Sequence, residues 1–254
     1  MGSGGAVIFT CSTFLSKPNK LAQLQRALDS ILAQHGPDER GLVRKVLVIN
    51  EYGPGAFTDR VGAMLAKLPA AELIQKDEAA RGQARTLNMI LERLAGYEYW
   101  IHWEESWECT RPFLAEAIDA MASTDLTQLQ LTPDWLDVGD ERVVHAATPA
   151  GTRYARILPH PRTSELLRGA TIGDYDRLVA SAGMGVAWPL FSLRPGVNRA
   201  AFCRDLPRFS EVPAHWPVRF EWEYARRWFE RGATKAVLTP FAAQRQPNHV
   251  STYR

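Results

Sequence analysis

Apolar positions in the first half of the chain switch repeatedly between short β-type runs and helical spacing. AVIFTCSTF (6–14) is a compact run of strand formers, followed past SKPNK by LAQLQRALDSILAQHG. In that segment Leu21, Leu24, Leu28, Ile31 and Leu32 recur with a helical period, and Gly36 closes it. VRKVLVIN (43–50) reads as a second strand, stopped by the turn cluster EYGPG. FTDRVGAMLAKL predicts a second helix, AELIQK (71–76) a third strand, and AARGQARTLNMILERLAG a third helix with an apolar stripe of Leu87, Ile90, Leu91 and Leu94. YEYWIHW (97–103) is the fourth strand, and TRPFLAEAIDAM opens a helix with Pro112 in its first turn. One helix between successive strands implies right-handed crossovers and a mainly parallel sheet covered on both faces.

The rhythm changes after about residue 125. LTQLQLT (126–132) alternates as a strand does, and VVHAATPAGTRYARIL predicts a hairpin around Pro149, Ala150 and Gly151. Residues 159 to 217 are rich in Pro, Gly and Arg and show no clean period, so part is expected to be loop. RFEWEYARRWFERG (219–232) is a helix ended by Gly232, followed by the strand KAVLTPF and a polar tail. The expected organisation is one α/β domain over residues 1–254, with a Rossmann-like half at about 6–123 and a more irregular, C-terminal half at about 124–254 that covers a site.

Composition narrows the partners. A formal net charge of +2, with basic residues scattered, gives no footprint for nucleic acid or an anionic membrane. No apolar stretch approaches the roughly 20 residues that span a bilayer, and no signal-peptide pattern is present. MGSGG reads as a disordered lead-in or an expression scar. Cys11, Cys109 and Cys203 are isolated thiols without a CxxC pair, so they are expected to be buried small hydrophobes in a reducing, cytoplasmic protein rather than a disulfide or zinc framework.

In an open parallel sheet, ligands bind outside the carboxyl ends of the strands. The first strand delivers Thr10, Ser12 and Thr13 there, the second Asn50 and Glu51, and the fourth Glu104 and Glu105 of WIHWEESW. No GxGxxG follows the first strand and no GxxxxGK[ST] occurs, which disfavours a dinucleotide dehydrogenase or a P-loop enzyme. A polar first turn with acids after the second and fourth strands can hold a base or ribose, and a divalent ion against phosphates.

CSTFLSKPNKLAQLQRALDSILAQ, VLVINEYGPG, RGQARTLNMIL and YWIHWEESW, in this order, resemble the family 2 nucleotide-sugar glycosyltransferases with the A-type fold. FEWEYARRWFERGAT resembles the helix carrying that family's catalytic acid, and SLRPGVNR (192–199) its acceptor-side loop. The resemblance implies a nucleoside-diphosphate sugar donor, a small or soluble acceptor, and transfer with inversion. Glu221 stands at the general base, with Glu223 as fallback; about 200° of helical rotation separates them, so one of the two faces the site. Thr10, Ser12, Glu51, Arg81, Arg85 and Glu104 are implied for the nucleotide sugar. Glu105 and the tail residue His249 are implied for a divalent metal, Mg²⁺ or Mn²⁺.

Two departures accompany the resemblance. Ser106 replaces the acid that usually meets the metal, and Glu51 replaces an Asp. Arginines neutralising the diphosphate, a nucleotidyltransferase, and a non-catalytic nucleotide- or sugar-binding protein therefore stay open as readings. Trp103 and Trp107 are expected to pack structurally, and Trp188 and Trp216, in the irregular segment, are candidates for an aromatic platform under a sugar ring, with structural packing as the other reading.

Overall fold

The computed structural model describes residues 6–15, 18–51, 57–68, 70–133, 142–212 and 218–247. The first half follows the alternation in the sequence: β1 (Val7–Thr13), α1 (Pro18–Gln34), the one-turn α2 (Pro37–Arg40), β2 (Val43–Asn50), α3 (Thr58–Leu65), β3 (Ala71–Gln75), α4 (Gln83–Leu91) and β4 (Tyr99–Glu104). A short strand β5 (Trp107–Cys109) then precedes α5 (Leu114–Ser123). The second half contains β6 (Gln128–Gln130), the hairpin β7 (Val143–Ala147) and β8 (Arg153–Ile157), and the helices α6 (Thr163–Leu167), α7 (Tyr175–Ala182) and α8 (Met184–Ala187). It ends with β9 (Gly196–Arg199), α9 (Ala200–Arg204), α10 (Arg219–Glu230), β10 (Lys235–Leu238) and β11 (Ala243–Arg245).

Nine strands form one sheet in the order β3-β2-β1-β4-β9-β6-β10-β8-β7, and β11 pairs with β5 in a second, two-stranded sheet. All strands of the large sheet run one way except β9 and β8, so it is a mostly parallel α/β sheet, as expected. Strand alternation divides two cores. Val7, Phe9, Cys11, Tyr99, Ile101 and Trp103 face the layer of α1, α3 and α5. Ile8, Leu47, Ile49 and Trp100 face α4 and the aromatic side of α10, formed by Phe220, Trp222, Tyr224 and Trp228. All three cysteines are free and buried within these layers.

Residues 159–212 are more regular than their sequence suggests. Beyond four helices they supply β9, which lies antiparallel between β4 and β6 in the middle of the sheet. Four residues are too few to show a period, and Gly196 opens the strand. A Cβ at Gly196 would lie 3.2 Å from the Leu129 carbonyl, so the tight fit between neighbouring strands favours glycine. Trp188 is a correction: it is buried, and its indole nitrogen donates to the Phe191 carbonyl at 2.7 Å, so it offers no platform to a sugar. Trp216 lies outside the described residues.

Candidate active site

The site forms where β1 and β4 end and α4 and α10 begin. Ser12 pairs in register with Glu104 across the β1–β4 ladder. Glu104 Oε1 accepts a hydrogen bond from Gln83 Nε2 at 3.2 Å, which ties the end of β4 to the first residue of α4. Glu221, in the first turn of α10, is close enough for its charge to act on Glu104. The side chains of Ser12, Gln83, Glu104 and Glu221 thus converge from four elements that are remote in sequence.

The two acids share an unusual electrostatic state. Burial, reinforced by the neighbouring Glu105, pushes the Glu104 carboxyl up to about 7, against the pull of Arg245. Burial likewise pushes Glu221 up to about 7, opposed by the hydrogen bond from the Leu193 amide to Oε1 at 2.9 Å and by Lys235 and Arg194. A carboxyl held near neutrality can exchange a proton under working conditions, as general acid–base chemistry requires. Glu223 points elsewhere and pairs with Arg227 at 3.4 Å, as the helical rotation between the two acids anticipates.

Arg81 and Arg85 flank Gln83 and, with Glu211 and Phe220, line a cavity of about 390 Å³ beside the acids. Arg81 lies 5.1 Å above the Phe14 ring, and Arg85 pairs with Glu211 at 2.9 Å. The remaining residues are occupied within the fold. Thr10 accepts from Trp100 Nε1 at 2.8 Å and donates to the Ile101 carbonyl at 3.3 Å, so its hydroxyl stitches β1 to β4. Glu51 receives Lys76 Nζ and the Gly82 amide, each at 2.8 Å, and the Thr86 hydroxyl. Lys76 also donates to the Gly82 carbonyl at 3.0 Å. Gly82 turns its two backbone groups toward this pair at φ 131°, a conformation that favours glycine. The contacts lock the start of α4 to the ends of β2 and β3.

Among the described residues, those implied for a divalent ion do not make a fitting donor set. Glu105 Oε1 accepts from Lys20 Nζ at 3.0 Å, with both side chains buried. Ser106 is a weak neutral donor beside a carboxylate, Glu104 is held by Gln83, and His249 lies outside the described residues. No three metal-ligating side chains come together among the described residues.

Three residues at this end of the sheet escaped the sequence reading. His102, on the same face of β4 as Glu104, is buried, and neither ring nitrogen has a hydrogen-bond partner among the described residues. Its place in the alternation of WIHWEE was the available signal, since it shares a face with an acid. Arg194 and Arg245 both approach the Trp107 ring, at 5.8 and 4.5 Å from its centroid. SLRPG, which carries Arg194, was read as an acceptor-side loop, and nothing local marks Arg245.

No protein-family model and no curated protein matches the sequence. Solved structures do. GalNAc-T7 with UDP, GalNAc and Mn²⁺ superposes with a TM-score of 0.59 at 10% identity, covering 98% of this chain and 46% of that one. The chain has the A-type glycosyltransferase fold. Residues 1–349 of S. aureus TarS give a TM-score of 0.58 at 14% identity, covering 94% of this chain and 59% of that one. The mannosyltransferase PcManGT from Pyrobaculum calidifontis, in complex with GDP-Man and Mn²⁺, gives 0.51 at 16%, covering 92% and 54%. The chain therefore spans about half the length of the solved structures it matches. Among the described residues no helix is long and apolar enough to cross a membrane.

Proposed function

We propose that this chain is an inverting glycosyltransferase that moves a sugar from a nucleoside diphosphate to an acceptor hydroxyl. What supports the reading is the placement of Glu221, in the first turn of α10, near enough to Glu104 at the end of β4 for its charge to act there, with the Leu193 amide bonded to Glu221 Oε1 and burial raising both carboxyls. In the proposed reaction Glu221 takes the proton of the acceptor hydroxyl as its oxygen bonds to the anomeric carbon. The bond from that carbon to the diphosphate oxygen breaks on the opposite face, and the diphosphate leaves with the electron pair. The Leu193 amide holds Glu221 Oε1 and so orients the carboxylate. Ser12, Arg81, Arg85 and Glu104 border the donor, while Thr10 and Glu51 support it from behind through β4 and α4.

The fold supports this reading, and two of its structural neighbours were solved with UDP, GalNAc and Mn²⁺ and with GDP-Man and Mn²⁺. UDP-GalNAc and GDP-mannose are therefore the first donors to test, each with a panel of small acceptors, by release of nucleoside diphosphate. Turnover that is lost in Glu221→Gln supports the proposal; turnover that survives it removes Glu221 as the base. The buried Lys20–Glu105 pair and Ser106 favour a second reading, a non-catalytic nucleotide binder. Tight UDP or GDP binding with no turnover of any donor, with or without Mn²⁺, would select it.

A further inference from the structure

The two-stranded sheet, the Pro133 end of β6 and the loop before β9 border an open groove of about 510 Å³, lined among others by Trp107, Pro133, Arg194, Phe241 and Arg245. Its walls are set by backbone structure. Arg245 pairs in register with Trp107 across the β5–β11 ladder. The Arg194 amide donates to Ser192 Oγ at 3.2 Å, and its guanidinium reaches the Pro133 carbonyl at 3.3 Å. The next residue, Pro195, accepts from the Leu131 amide at 2.9 Å.

Both guanidiniums converge on one indole ring. Each also acts on one acid of the site, Arg245 on Glu104 and Arg194 on Glu221. Two guanidiniums beside one ring present their donors to the same groove, where a multivalent anion can accept from both. Guanidinium forks match phosphate oxygens, and indole stacking holds their planes in place. The same end of the sheet is where a divalent ion is poorly provided for, because Lys20 occupies Glu105 and Ser106 is no acid.

We propose that Arg194 and Arg245, with Trp107 as the floor, bind the diphosphate of the nucleotide donor directly and neutralise it without a metal ion. The proposal rests on the glycosyltransferase reading for its ligand. When the anomeric bond breaks, the charge appearing on the diphosphate falls to these two cations.

Inorganic pyrophosphate, UDP and GDP serve as probes, titrated calorimetrically into the full chain in EDTA. Pyrophosphate is expected to bind in EDTA, more weakly at high salt. Arg194→Gln and Arg245→Gln should each weaken it about tenfold or more, and the double variant about a hundredfold or more. Arg245→Lys should bind between wild type and Arg245→Gln, and Mn²⁺ should tighten binding by less than about threefold. Arg245 is exposed on an edge strand, so its variants should melt as wild type does. Absence of pyrophosphate binding in EDTA, binding that appears only with Mn²⁺, or arginine variants that bind as wild type would each overturn the proposal. Arginine-dependent binding of pyrophosphate and UDP without turnover of any donor upholds this anion site and removes the transfer reading alone.

Discussion

Glu105 and Lys20 form a 3.0 Å ion pair with both side chains buried, and the bond crosses from the end of β4 to the first turn of α1. It consumes the carboxylate that the sequence offers most directly to a metal ion, and it makes that carboxylate a structural group. Glu51 and Lys76 repeat the arrangement at the end of β2. Acids at strand ends are thus divided between holding the fold, as Glu105 and Glu51 do, and lying near Glu221, as Glu104 does.

Lys20→Met strands a buried carboxylate. It is expected to cost about 3–5 kcal/mol in urea unfolding, and the double variant Lys20→Met/Glu105→Leu should recover most of the loss. A Lys20→Met protein as stable as wild type would show that Glu105 has another partner.

Glu51→Gln leaves the Lys76 ammonium buried without its counter-charge, beside Thr86 and Gly82. The expected result is a loss of about 3–5 kcal/mol in stability, with nucleotide affinity per folded molecule changed by less than about threefold. A stable variant with greatly weakened nucleotide binding would move Glu51 into direct contact with the ligand.

Glu221→Gln keeps an acceptor for the Leu193 amide and removes the base, so kcat should fall about 10²- to 10⁴-fold. In wild type, activity should rise with pH through about 7, as Glu221 loses its proton. Stability runs the opposite way. A carboxyl raised by folding stabilises the native state fully below its unfolded value near 4.5, and that contribution is lost as pH rises through about 7. Glu221→Gln should therefore be more stable than wild type at pH 8, by about 1–3 kcal/mol, with the difference vanishing near pH 4. Differential scanning calorimetry at both pH values checks the sign.

His102→Leu replaces a buried ring, whose two nitrogens have no hydrogen-bond partner among the described residues, by an apolar side chain of similar size. Removing that desolvation cost should raise stability by about 1 kcal/mol at pH 7. Burial holds the imidazole down to about 4, so wild type loses stability as pH falls from the unfolded value near 6.5 through 4. The variant should lack that part of the acid-side loss. If donor turnover also falls in this more stable protein, His102 serves the site rather than the core.

Much of the fold was legible because it is written locally. Leu21, Leu24 and Leu28 declare a helix face, and the runs of β1, β2 and β4 declare buried strands, because burial imposes a period on neighbouring residues. The strand ends could be named for the same reason, which brought Ser12 and Glu104 into consideration, whereas Glu221 came from the resemblance of its helix to that of a known family. Side-chain partnership is not local. Whether Glu105 meets an ion or Lys20, whether Thr10 faces a ligand or the Trp100 indole, and whether Trp188 is exposed depend on chain segments far away in sequence. β9 was hidden because four residues carry no readable period, and its place comes from the gap between β4 and β6. Arg245 was hidden because its neighbours Glu104 and Trp107 arrive only when β11 pairs with β5. Sequence determined which elements form and which ends of them carry polar groups, since those follow from solvent and backbone sterics acting residue by residue. Tertiary structure alone decided which acids are neutralised within the fold and which come near one another without a cationic partner as close as Lys20 or Lys76, because electrostatic pairing and burial are properties of positions in space.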